Sequence, residues 1–184
     1  MNEQTGANII LGVTGSIAAY KAPSILRGLM ERGHQVRVVM TVAAQQFVHP
    51  TTFRALCGHP VITALFPPNS QVELRHVELA DWVDALAIAP CTANFIGKAA
   101  NGLADDILSC AWMACDCPKL IAPAMNDRMW ASPPVQTNCE TLRLQTGVHF
   151  IGPVEGGLAS GKQAIGRLAP VSEIVDAIHS VVTG

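Results

Sequence analysis

Asn126 stands between Met125 and Met129 in PAMNDRMW (123–130), a neutral amide in a turn-bounded stretch too polar for a strand and too apolar for a loop. Such an amide can orient a carboxylate without the charge pairing that would stabilise it against leaving. His76, in ELRHVELADW, has Glu73, Glu78 and Asp81 nearby, which would tune an imidazole as a base near neutral pH; a structural or surface histidine fits the same pattern. GVTGSIA (12–18) follows an apolar run. Its small residues let backbone approach an anion, and the Ser16 hydroxyl and helix-start amides could hold a phosphate, although an ordinary tight turn reads the same way. In APCTANFIGK (89–98), Thr92 and Asn94 could contact a polar ligand or simply cap a helix. GPVEGGLASGKQAIGRLAP (152–170) is Gly-rich and carries Arg167, which could serve an acidic ligand; the segment reads as a lid or as a flexible connection.

The glycines match neither G-x-G-x-x-G nor G-x-x-x-x-G-K-[ST]. The second apolar run ends in Met40-Thr41, without the acidic residue that dinucleotide ribose hydroxyls want, so a mononucleotide with one terminal phosphate fits better than NAD. A net charge of −2 argues against nucleic acid as a partner. No window approaches ~18 uninterrupted apolar residues, so no membrane span is expected. The polar MNEQTGAN start is unlike a signal peptide, and a cytoplasmic location is the default. Cys57, Cys91, Cys110, Cys115, Cys117 and Cys139 read as small buried hydrophobes. They complete no zinc set, so neither metal nor a disulfide framework is expected.

These residues need elements to hold them. Apolar runs at 8–15, 34–41, 83–94, 118–125 and 148–153 predict strands. Helical patterns lie between them, and the first is irregular near Pro23. A further helix pattern is interrupted at Gly102, and APVSEIVDAIHSVV closes the chain as an amphipathic helix. With 49% hydrophobic and 14% charged residues, and strands that are continuous rather than alternating, much of the chain must be buried. The expected architecture is α/β: a flavodoxin-like or Rossmann-like three-layer fold, its parallel sheet covered by helices on both faces, in one domain spanning 1–184. Ligands of such sheets bind at the strands' carboxyl ends, where the segments above fall.

GVTGSIAAYK, the histidine of LRHVELA, APCTAN, PAMNDRMW and GGLASGKQAIGRLA, in this order, resemble the flavin-containing cysteine decarboxylase family. That family includes phosphopantothenoylcysteine decarboxylase of coenzyme A synthesis and the peptidyl-cysteine decarboxylases of lantibiotic maturation. PAMNDRMW matches its P-x-M-N-x-x-M-W signature, the most specific element. The resemblance implies FMN, its phosphate at Gly15, Ser16 and Ile17 with help from Thr41, and contacts from Thr92, Ala93, Asn94, Ala124 and Met125. It implies His76 and Asn126 as catalytic residues, and Leu158, Ala159, Asn126 and Arg167 on the substrate side. It also implies a site between subunits of a trimer, sometimes assembled into a dodecamer.

The implied activity is decarboxylation of 4′-phosphopantothenoylcysteine to 4′-phosphopantetheine, with a separate partner making the substrate. Ser160 stands where the coenzyme A enzymes carry a lid cysteine that protonates the enethiolate, and serine is a far weaker acid. A peptidyl-cysteine decarboxylase, which stops at the enethiol, is therefore the alternative. A non-catalytic flavoprotein or regulatory subunit is the second.

Overall fold

The computed structural model describes residues 6–66 and 75–184. Glu73, one of the acidic neighbours read beside His76, and the first five residues lie outside the described residues. The first half of the chain runs β1 (Asn8–Val13), a 3₁₀ turn (Ile17–Lys21), α1 (Ala22–Glu31), β2 (Gln35–Met40) and α2 (Pro50–Cys57). It continues through α3 (Arg75–Trp82), β3 (Ala85–Cys91), α4 (Ala93–Ala100), α5 (Ile107–Ala114) and β4 (Lys119–Pro123). The remainder comprises α6 (Asp127–Trp130), α7 (Pro133–Arg143), β5 (Val148–Phe150), β6 (Val154–Gly157), β7 (Gln163–Arg167) and α8 (Val171–Thr183).

Five strands form one parallel sheet in the order β2-β1-β3-β4-β5, a flavodoxin-like arrangement. The apolar runs are continuous because both faces are covered, yet inside each run the side chains still alternate. On β1, Ile9, Leu11 and Val13 pack in one cluster with Ile25 and Leu29 of α1 and Ile174 and Ile178 of α8. Ile10 points the other way, to Phe95, Ile107, Trp112 and Leu142 from α4, α5 and α7. Burial of each such side chain contributes roughly 1.5–3 kcal/mol, so the two layers together fix the sheet.

Local chemistry sets the helix boundaries. Pro23 falls at the start of α1, so the turn before it is 3₁₀ rather than α. The interruption expected at Gly102 spans 101–106, where Gly102 takes a positive φ of 67°. Asp106 then restarts the chain with a capping box, its Oδ1 accepting from Ser109 N (2.9 Å) while Ser109 Oγ accepts from Asp106 N (3.0 Å). Lys98 ties the two helices by ion pairs to Asp105 (2.6 Å) and Asp106 (2.7 Å).

One element departs from the expected loop. Residues 154–167 form an antiparallel hairpin, β6 with β7, outside the main sheet. Main-chain hydrogen bonds build it with little side-chain burial, so GGLASGKQAIGR carries no alternating pattern to reveal it.

At the far end of α1, His34 is buried and accepts a hydrogen bond at Nδ1 from the Ala7 amide (3.2 Å). Its Nε2 lies 3.0 Å from His179 Nδ1 on α8, beside the Arg32–Asp176 ion pair. Burial, then the neighbouring His179 and Arg32, hold the His34 imidazole below its ordinary range. The unfolded chain therefore binds the proton more readily. The stabilisation is present above about pH 6.5 and is lost as pH falls below it. Urea unfolding at pH 7.5 and 5.0 should show lower stability at the acid value, and His34→Gln should narrow the difference.

Candidate active site

The order of the sheet reverses between β1 and β3, and there the two strand-end loops are joined by one buried hydroxyl. Thr14 Oγ1 donates to Pro90 O (2.7 Å) and accepts from Thr92 N (3.0 Å), while Thr14 N donates to Pro90 O (3.3 Å). Beside this join, Ser16 N donates to Thr14 O (2.9 Å) and Ser16 Oγ accepts from Ala18 N (3.3 Å). Among the described residues the Gly15 and Ile17 amides have no acceptor, which leaves two donors and the Ser16 O–H for an anion. A Cβ on Gly15 would lie 2.5 Å from that of Ala43, so only glycine lets the loop turn this closely.

A cavity of about 620 Å³ opens from this cradle, well within the range of cofactor sites. Gly15, Ser16 and Ile17 form its floor and Thr92 and Ala93 a side wall. Ala124, Met125 and Asn126 close it from the end of β4. Over it lies the hairpin, contributing Leu158, Ala159 and Ser160 from the tip and Arg167 from β7.

Asn126 is the N-cap of α6, its Oδ1 accepting from Arg128 N (2.9 Å). With the oxygen so held, the side-chain NH₂ is the group left to donate, and among the described residues it has no partner. Met129 lines the same cavity, and Trp130 packs inward against the second core cluster. Asp127 keeps Oδ1 buried without a partner. The hairpin is docked on this loop by the hydrogen bond from Met125 N to Gly166 O (3.0 Å). Gly166 has a φ of 152°, and a Cβ there would lie 2.4 Å from Met125 O.

Three residues implied for the site do not line this cavity. Thr41 instead caps the turn after β2, its Oγ1 accepting from Ala44 N (3.3 Å) while its amide bonds Val13 O (3.1 Å). Asn94 is exposed on the first turn of α4, whose N-cap is Thr92. His76 is half-buried on α3, which packs against α5. Conversely, the sequence does not single out Thr14, Lys21 or Gly166. Thr14 lies inside GVTGS and Lys21 is a lone cation in GSIAAYK, but Gly166 was hidden among many glycines. Lys21 lines the cavity, and burial, then the nearby Arg167 charge, push its ammonium below its ordinary range.

A parallel sheet of this order, with an anion cradle and a mostly prebuilt cavity at its switch point, defines a mononucleotide-binding protein of the flavodoxin-like class. Comparison with known proteins carries this further. The Flavoprotein family profile matches residues 1–183, and the chain belongs to the flavin-containing cysteine decarboxylase family. It is 45% identical over 168 residues to the coenzyme A biosynthesis bifunctional protein CoaBC of Bacillus subtilis, covering 91% of this chain and 41% of that protein. CoaBC of Escherichia coli is 40% identical over 171 residues, covering 93% and 42%. The chain thus spans about two fifths of the length of these curated relatives.

Among solved structures, the FMN-dependent cysteine decarboxylase SpaF superposes with a TM-score of 0.83 at 35% identity, covering 97% of this chain and 96% of SpaF. A Cys-to-Ser mutant of PPC decarboxylase complexed with pantothenoylaminoethenethiol gives 0.81 at 31% identity, covering 94% and 96%. The residues present fit a flavin mononucleotide: free backbone donors sit over a glycine that admits no Cβ, beside a cavity of suitable volume.

Gly166→Ala should therefore loosen the hairpin. Tryptic cleavage after the exposed Lys162 at its tip should accelerate, and global stability should fall by about 1–3 kcal/mol in chemical denaturation.

Proposed function

We propose that the protein is an FMN-dependent decarboxylase of a cysteinyl carboxylate, and that its substrate is 4′-phosphopantothenoylcysteine. The observation that carries this reading is Asn126. Its oxygen is locked by Arg128 N, and its NH₂ is presented on the wall of a cavity whose floor is the anion cradle. Gly15, Ser16 and Ile17 would hold the cofactor phosphate, and Thr92, Ala93, Ala124 and Met125 would line the flavin. When bound, FMN supplies the two-electron acceptor that oxidises the substrate CH₂–SH, and the carboxylate β to the resulting C=S leaves as CO₂. Asn126 orients that carboxylate as a neutral donor, which costs less to release than a salt bridge would. Leu158 and Ala159 at the hairpin tip cover the substrate and exclude water. The CoaBC proteins and the PPC decarboxylase structure support this choice of substrate.

His76 would take the thiol proton. Because it lies off the cavity of its own chain, its place in the reaction requires a second copy, as in the trimer or dodecamer that the family resemblance implies. Ile17 (57% exposed) and Tyr20 (63% exposed) at the cavity, and Val77 (41% exposed) beside His76, are apolar surfaces suited to such an interface. A cytoplasmic location and a single catalytic domain over 1–184 accord with this reading; no helix among the described residues is long and apolar enough to cross a membrane.

Separately, His76→Asn and Asn126→Asp should each lower decarboxylation by about 10²-fold or more while the protein stays yellow. Mixing the two inactive variants through unfolding and refolding should restore part of the activity if His76 acts in a neighbour's site. A colourless protein that cannot be reconstituted with FMN would defeat the whole reading.

Ser160 favours a second reading, a peptidyl-cysteine decarboxylase that releases an enethiol. Ser160 lines the cavity where a thiol would be needed to protonate the enethiolate, and the related Cys-to-Ser enzyme is found with an aminoethenethiol. Mass spectrometry decides. The wild type should release a product two hydrogens lighter than the reduced thiol, and Ser160→Cys should shift it to the thiol. Turnover of peptides ending in cysteine, with none of phosphopantothenoylcysteine, would replace the first reading by the second.

A further inference from the structure

Lys21 and Arg167 reach the same cavity from opposite parts of the fold, one from the 3₁₀ turn after the cradle and one from the hairpin over it. Elsewhere the described lysines and arginines include clear ion pairs, such as Arg32 with Asp176 and Lys98 with Asp105 and Asp106. Neither Lys21 nor Arg167 has a carboxylate at ion-pair distance among the described residues. Each has another neighbour instead. The Arg167 side chain lies along the bare backbone of Gly156, where a Cβ would come 2.7 Å from Cδ and 2.9 Å from Nη1. Lys21 is half-buried, its ammonium 5.9 Å from the Tyr20 ring centroid. Arg167 is close enough to disfavour the charge on Lys21, so without a ligand the two repel each other. Two cations on one cavity with no anion beside them cost energy that a ligand of charge near −2 would reverse.

We propose that Lys21 and Arg167 form a clamp for a phosphate monoester dianion, closing the hairpin onto the cavity floor through the ligand. The guanidinium offers a planar fork for two phosphate oxygens and the ammonium a mobile point charge. A carboxylate of charge −1 matches the pair less well, and Asn126 already serves one. The clamp rests on the flavin-decarboxylase reading of this cavity and deepens it, because a phosphate-bearing small molecule would fill it where a plain peptide would not. Two phosphates could occupy it, that of the flavin mononucleotide and that of the substrate.

Calorimetry on matched ligand pairs separates these sources. FMN is compared with riboflavin on the flavin-free protein, and pantetheine 4′-phosphate with pantetheine on the FMN-loaded protein. The clamp predicts that the wild type prefers the phosphorylated member of at least one pair by about 100-fold. Lys21→Met and Arg167→Met should each cut that preference by about 10-fold, and Lys21→Arg should restore most of it. Loss in the first pair assigns the clamp to the cofactor phosphate, and loss in the second to the substrate phosphate. Preferences unchanged by both methionine variants in both pairs overturn the proposal, as does equal weakening of phosphorylated and unphosphorylated ligands. Should the wild type bind no flavin, the decarboxylase reading fails by itself. Titration with inorganic phosphate then tests the clamp: binding abolished in the double variant sustains it, and binding unchanged there ends it.

Discussion

A single buried hydroxyl holds the two halves of this site in register. Thr14 Oγ1 accepts a hydrogen bond from Thr92 N, just past β3, and donates one to Pro90 O near the end of that strand. Strands β1 and β3 are neighbours in the sheet, but their helices leave toward opposite faces, and the hydroxyl adds to the bond from Thr14 N to Pro90 O in holding the diverging loops together. A buried hydroxyl left without partners costs roughly 1–3 kcal/mol, so the link resists being broken. The anion cradle at Gly15–Ile17 hangs on one side of it and the Thr92–Ala93 wall on the other. The cradle and this wall are therefore fixed to each other through the core side of the sheet.

The main sheet was legible because its evidence is repeated. Each strand is a run of apolar residues that meets two independent layers, and a misreading of one residue leaves the pattern intact. The site was legible where residue type and position agree: Asn126 is anomalous in its surroundings, and Gly15 and Ser16 follow a strand. The hairpin was not, because a ladder of main-chain bonds in a Gly-rich segment leaves no side-chain signature. Thr14 leaves no signal in the sequence, since its role depends on what lies across the sheet, 76 positions away in the chain. Thr41 and Asn94 sit in the expected segments without lining this cavity: the Thr41 hydroxyl caps the turn after β2, and Asn94 is exposed on α4.

The polar groups of the cavity divide by charge. The wall at the end of β4 offers a neutral amide whose oxygen is already committed to Arg128 N. The rest of the lining offers backbone donors and two cations. In the reaction proposed above, the neutral amide would meet the carboxylate that leaves, and the cationic groups an anion that is held.

Gly166 has a mechanical meaning beyond its fit. Its carbonyl is bonded to the amide next to Asn126, and its missing side chain lets β7 press against that backbone. The cover of the cavity is thus tied to the wall that carries Asn126. Displacing the hairpin would pull on the Met125 backbone, one residue before that amide, so the cover and the wall are not independent parts.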